Sequence, residues 1–102
     1  MSRKKSDIKE FGLIKHRHDM PVDDYIYFHV QNPTQTQRLY YEASWAILPY
    51  RDRKIVIYVT GLTVALIEAM KVCTDYEIDL DLMHYNPKDK TYYCQEVYRW
   101  KK

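Results

Sequence analysis

The chain has 102 residues, 46% of them hydrophobic and 29% charged, with a formal net charge of +2. That length allows one domain with a single core and little room for a deep pocket inside one subunit, and the near-neutral charge excludes a composition built for long nucleic acid. No run of about 20 apolar residues is present, so no membrane span is expected, and Cys73 and Cys94, without zinc spacing or a secretory leader, read as reduced thiols of a cytoplasmic protein.

Residues 1–24 are the hardest to read. Phe11 to Ile14 has the composition of a short strand, but the surrounding charges and Pro21 favour an irregular segment. His16 and His18, with Asp19 and then Asp23 or Asp24, have the residue types of a metal site. Two histidines without further ligand spacing carry little weight, and no metal is expected. The basic stretches Arg3-Lys4-Lys5 and Arg99-Trp100-Lys101-Lys102 read as solvated ends.

From residue 25 the pattern is regular, and 25–102 read as one domain. Residues 25–30 alternate as a strand, with Ile26, Phe28 and Val30 opposite Tyr25, Tyr27 and His29. Asn32 then offers a helix cap and Pro33 a first helical residue, or Thr34 to Gln37 a capping box one register later. The helix is expected to run to about Leu48 and stop before Pro49, on the spacing of Leu39, Ala43, Ala46 and Ile47. The same stretch, rich in Tyr40, Tyr41 and Trp45, also admits a strand reading.

Residues 54–59 are continuously apolar and β-branched, as in a strand buried on both faces of a parallel sheet. Thr60-Gly61-Leu62-Thr63 opens a helix from Leu62 to about Asp75, apolar except for a stripe of Glu68, Lys71 and Asp75. Residues 77–84 alternate, placing Ile78, Leu80 and Leu82 inward and Asp79 and Asp81 in water, on a strand near an edge. A turn over 86–89 leads to a final strand from about 90 to 98. The fold expected is α/β: a small Rossmann-like domain of two or three layers, its sheet mostly parallel with a C-terminal antiparallel hairpin.

If the first three of these strands are parallel, Gln31 to Thr34, Thr60 to Thr63, and His84, Tyr85 and Asn86 meet at the carboxyl edge, where open α/β sheets bind ligands. Unpaired amides at the two helix starts suit phosphate. His84 lies at its strand's end, and histidine as a residue type can shuttle a proton; a core histidine bonded to a backbone carbonyl is the plainer reading. Thr60 to Thr63 lacks the further glycines of a dinucleotide fingerprint, so neither NAD nor FAD is expected.

Over roughly residues 25–86 the order of these motifs resembles the small stand-alone CARF-like proteins of type III CRISPR systems, including the ring nucleases. The resemblance rests on a strand leading into Asn32-Pro33-Thr34-Gln35-Thr36-Gln37, then an apolar strand leading through Thr60-Gly61-Leu62-Thr63 into an apolar helix. It implies a cytoplasmic homodimer that binds cyclic oligoadenylate across its two-fold axis. It further implies metal-independent cleavage, a ribose 2′-hydroxyl attacking the adjacent phosphodiester. Asn32 to Thr34 and Gly61 to Thr63 would then hold phosphates, with Gln31, Thr34 or Arg38 orienting the ring and His84 protonating the leaving oxygen. Three other readings stand beside it: a nucleotide-binding module without chemistry, a protein-interaction domain, and RNA binding through the basic ends and Tyr92-Tyr93.

Overall fold

The structure, a computed structural model, describes residues 7–15 and 20–100. Its elements are β1 (Ile8–Ile14), β2 (Tyr25–Tyr27), α1 (Thr36–Ile47) with a 3-10 turn at Leu48–Tyr50, β3 (Lys54–Tyr58), α2 (Thr63–Asp75), β4 (Leu80–Asn86) and β5 (Thr91–Tyr98). They form one five-stranded sheet in the order β2-β1-β3-β4-β5. The first four strands run parallel, and β5 closes the sheet as the antiparallel arm of a hairpin.

The expected α/β class with a mostly parallel sheet is present, in a two-layer arrangement. Phe11, Leu13, Ile55, Ile57, Leu80 and Leu82 join Leu39, Ala43 and Ile47 of α1 and Ala65, Ala69 and Val72 of α2 in one buried cluster, so both helices lie on one face. Val56 and Tyr58 point the other way and meet Met20, with Val22 against them. Strand β3 is therefore covered on both faces, as its unbroken apolar run predicts.

The largest departure from the sequence reading lies at Ile8–Ile14, which is a central strand. It pairs with β3 from Ile8 opposite Lys54 to Gly12 opposite Tyr58, and with β2 on its other side. Its charges stay compatible with that position because Lys9 and Glu10 sit in its outer half, where Lys9 pairs with Asp24, while Phe11, Leu13 and Ile14 are buried. The connection from β1 back to β2 runs opposite in direction to the other two crossovers. It accordingly crosses the opposite face, where Met20 and Val22 pack, as a single crossover hand requires.

Local chemistry accounts for the element ends. Helix α1 starts later than expected because Asn32 Oδ1 is taken by the Thr34 amide at 3.1 Å and the Thr34 hydroxyl at 2.6 Å, forming a turn instead of a cap. Its chain then tightens into the 3-10 turn that contains Pro49. At the end of α2, the Ile78 amide bonds to the Cys73 carbonyl and the Glu77 amide to that of Thr74, with Glu77 at φ 53°. This is a Schellman stop built on a residue other than glycine. The predicted polar stripe of α2 is only partly exposed: Glu68 is buried with Lys71 3.2 Å from its carboxylate, whereas Ile67 lies in solvent. Asp81 is likewise buried and ion-paired instead of solvated.

Among the described residues no helix is long and apolar enough to cross a membrane.

Candidate functional site at the carboxyl edge

Because β1 to β4 are parallel, the segments that follow β2, β3 and β4 leave the sheet at one edge. The crossover direction reverses between β1 and β3, the position at which open α/β sheets form a ligand crevice. Segment 59–62, which carries the chain from β3 into α2, lies beside that point.

Thr60 is buried, and its Oγ1 has no hydrogen-bond partner. Helix α2 begins two residues after Gly61 with Leu62 in the capping position and no side-chain cap, so its first-turn amides are unsatisfied by side chains. Unpaired amides and the helix dipole favour an anion there. Gly61 has a negative φ, and a Cβ built on it would meet nothing within 4 Å. Backbone conformation therefore does not demand glycine, and what glycine provides is bare main chain at the helix start.

The second group lies at the start of α1. The loop after β2 and the first turns of α1 enclose a cavity of about 190 Å³ lined by His29, Gln31, Asn32, Gln35, Arg38 and Glu42, among others. Arg38 Nε donates to Glu42 Oε2 at 3.1 Å, which fixes the guanidinium at the cavity wall. That volume is below the roughly 300 Å³ at which small-molecule pockets begin, so its room is limited to a group of about phosphate size or part of one ring. Gln35 caps α1 only by its backbone position, without a side-chain bond.

These two helix starts are joined through Tyr27. Its hydroxyl lies 3.1 Å from the Leu39 carbonyl of α1 and 3.0 Å from the Ala65 carbonyl of α2. Burial, with the charges of Glu68 and Glu42 adding to it, holds the phenol protonated far above the ordinary tyrosine range. Tyr27 thus sets the spacing between the Arg38 cavity and the Thr60–Thr63 turn.

The third predicted group is placed differently. The His84 ring stacks on Tyr93 with centroids 5.3 Å apart, and its Nε2 lies 2.8 Å from Gln95 Oε1. Its partner is a side chain of β5 and not the backbone carbonyl of the plainer reading. Tyr85, next in the strand, meets Tyr92 on the opposite face. Asn86 spends its Oδ1 on the Lys88 amide, within the hairpin turn. Strands β2 and β4 are three steps apart in the sheet, or about 14 Å. The candidates are therefore spread along the edge and do not converge on one small pocket.

From the sequence His29 was a weaker candidate than His84, Gln35 entered only as part of the helix-start motif, and Glu42 was not singled out, although Gln35, Arg38 and Glu42 recur at the spacing of one helix face. Among the described residues no cluster of three metal-ligating side chains occurs; His16, His18 and Asp19 lie outside the described residues, as do Arg3-Lys4-Lys5 and Lys101-Lys102.

No protein-family model, no curated protein and no solved structure matches this chain.

Proposed function

We propose that the chain binds cyclic oligoadenylate along the carboxyl edge of its sheet, as a CARF-like domain, with phosphates at the start of α2 and beside Arg38. The observation that carries this reading is the Thr60 hydroxyl, buried and unpartnered next to the uncapped first turn of α2. A buried hydroxyl without a partner costs the folded protein stability. A bound phosphate oxygen would accept from that hydroxyl and from the helix amides together. The spread from Arg38 to β4 favours a ligand with several phosphates over a mononucleotide.

Cleavage is the second reading, and His84 is the observation that favours it. With Nε2 held by Gln95, the other ring nitrogen is left for proton transfer. The 2′-hydroxyl of one nucleotide would attack the adjacent phosphorus, giving up its proton to water and forming a 2′,3′-cyclic phosphate. The bond to the 5′ oxygen would break as that oxygen takes a proton from His84. Positioning of the attacking hydroxyl in line with the leaving oxygen would be the main contribution of the site.

Purified protein titrated with cyclic tetra- and hexa-adenylate, followed by chromatography of the nucleotide with and without EDTA, tests both. Saturable binding with intact rings supports the binding domain alone. Linear products ending in a 2′,3′-cyclic phosphate, unaffected by EDTA and lost in His84→Ala, support the ring nuclease. Absence of binding to either ring removes the proposal.

A further inference from the structure

One flank of the molecule, formed by the outer side of α1 and the loop after β2, carries a strip of bare aromatic rings. Trp45 is 82% exposed, Phe28 67% and Tyr41 56%. Trp45 and Phe28 line one groove, and Trp45 and Tyr41 line the next, so the three rings are continuous across the flank. At roughly 150–250 Å² for a whole aromatic side chain, their exposed parts amount to about 400 Å². A bare apolar patch of that size on a small domain marks a contact surface.

Cations border the same strip. Lys15 Nζ lies over the Phe28 ring, 5.4 Å from its centroid, and the Arg53 guanidinium lies over Tyr50 at 5.2 Å. Arg51 lines the groove that Tyr41 and Trp45 share, and Tyr50 the one that Trp45 and Phe28 share. The ion pairs among the described residues engage Lys9, Arg38, Lys54, Lys71 and Arg99, and Lys15, Arg51 and Arg53 belong to none of them. The carboxylates lining these grooves, Asp24 and Glu42, are by contrast already neutralised by Lys9 and Arg38. Asp52, between Arg51 and Arg53 in the chain, offsets one of the three cations. The rim of the strip therefore keeps an excess of positive charge.

We infer that this flank rests on an anionic lipid surface, with Trp45, Phe28 and Tyr41 at the headgroup level and Lys15, Arg51 and Arg53 among the lipid phosphates. Aromatic rings favour that depth because their apolar bodies leave water while the indole N–H and phenol O–H stay wet. The rings project from the surface instead of lining a closed slot, which suits a deformable lipid sheet. Apolar insertion and the attraction of cations to anionic headgroups add, and stable attachment to a bilayer draws on both. The contact is peripheral and needs no spanning helix; none occurs among the described residues. Thr60 and the start of α2 are no part of the strip. It shares His29 and Glu42 with the cavity beside Arg38 and uses neither, so the inference stands independently of the ligand proposed above.

Flotation of the full chain with vesicles of phosphatidylcholine alone, or with about 30% phosphatidylglycerol, tests it. The wild type should float with the anionic vesicles, half bound below about 1 mM lipid and at least about tenfold more tightly than with the neutral ones. Raising salt from about 0.05 to about 0.5 M should release it. Trp45→Glu should weaken binding at least about tenfold with an unchanged far-ultraviolet spectrum and melt, and Trp45→Phe should keep most of it. Lys15→Gln and Arg51→Gln should each weaken it about fivefold. In a Trp100→Phe background, Trp45 emission should shift to shorter wavelength on anionic vesicles and be quenched by brominated acyl chains. A wild type that floats with neither vesicle overturns the inference and leaves the strip to a protein partner. Binding that Trp45→Glu retains in full, or salt-sensitive binding without the emission shift, overturns it equally and assigns the contact to the basic stretches at the chain ends. Cyclic oligoadenylate titrated against Trp45→Glu without lipid should bind as it does to the wild type, so either proposal can fail while the other stands.

Discussion

Lys54 Nζ stands 2.9 Å from Asp81 Oδ2 across the β3–β4 ladder, on the sheet face that carries no helix. Arg99 closes the other side, with a guanidinium nitrogen 2.7 Å from Asp81 Oδ1 and 3.1 Å from Glu96. Burial alone would raise the Asp81 carboxyl, but the hydrogen bonds and charges of Lys54 and Arg99 together outweigh it and hold it below the ordinary carboxylate value. A depressed native pKa contributes stability that is present above the unfolded value, near pH 3.9, and is lost as pH falls through the native one. The denaturant midpoint of the wild type should therefore fall on acidification below about pH 4. Asp81→Asn should cost about 1–3 kcal/mol at pH 7 and converge on the wild type at low pH, as read by urea titration at both pH values. A gap between the two proteins that stays constant with pH would remove the electrostatic account.

Thr60→Val removes an unpaired buried hydroxyl and keeps the shape of the side chain. In the free protein the change should be neutral or stabilising by up to about 1 kcal/mol, since no hydrogen bond is lost. Binding of cyclic oligoadenylate should weaken by about tenfold, the usual worth of a hydrogen bond to a charged oxygen. A melt combined with a calorimetric titration separates the two effects. A variant that loses stability would show that the hydroxyl has a partner in the folded protein.

Glu77 ends α2 in the left-handed region, at φ 53°. An L-residue there pays a steric cost that glycine avoids, while glycine adds entropy to the unfolded chain. Glu77→Gly should thus stabilise by about 0.5–1 kcal/mol, because the Schellman bonds from the Glu77 and Ile78 amides are kept. The expected rise in melting temperature is roughly 2–8 °C for a domain of this size. A fall in melting temperature would mean that the Glu77 side chain contributes more than its backbone strain costs.

The two thiols should differ in access. Cys73 is buried on α2, and burial pushes its thiol up to about 12. Cys94 is exposed on β5, with its thiol raised first by local desolvation and then by Asp81. A disulfide reagent should modify one thiol per native chain and two in denaturant. Modification of both at equal rates in the native protein would contradict the packing of α2 on the sheet.

The parts of the fold legible in the sequence were those set by local periodicity. The continuous apolar run of β3 and the spacing of α1 and α2 each name their element without outside information. Strand β1 was only partly legible because two of its seven residues, Lys9 and Glu10, are charged, and Lys9 finds its partner in Asp24, a residue 15 positions away. The placement of Asp81 failed for the same reason: strict alternation puts it outside, and only Lys54 and Arg99, from other segments, make its burial tolerable. At the candidate site, topology predicted a common edge for three segments, and they share it. Alternation also predicted the face of His84, but the Gln95 partner comes from a strand whose register no local pattern announces. Asn32 shows the opposite limit, since a good capping residue was diverted into a turn by its own neighbour, Thr34.

The position of β1 has a consequence for how the chain folds. It precedes the other four strands of this sheet in the chain, yet it occupies an interior position between β2 and β3, with Ile8 opposite Lys54. Closing that pairing spans 46 residues (54 − 8), whereas β2 is reached after only a short connection. A nascent chain therefore has its central strand exposed along one side until α1 and β3 have been made. The rate-limiting step of refolding should then be capture of β1 by β3, a non-local closure that slows folding relative to helical chains of this length. Core truncations in β1 and β3, such as Leu13→Ala and Ile57→Val, would then act mainly on the folding rate, and those in the β4–β5 hairpin mainly on unfolding.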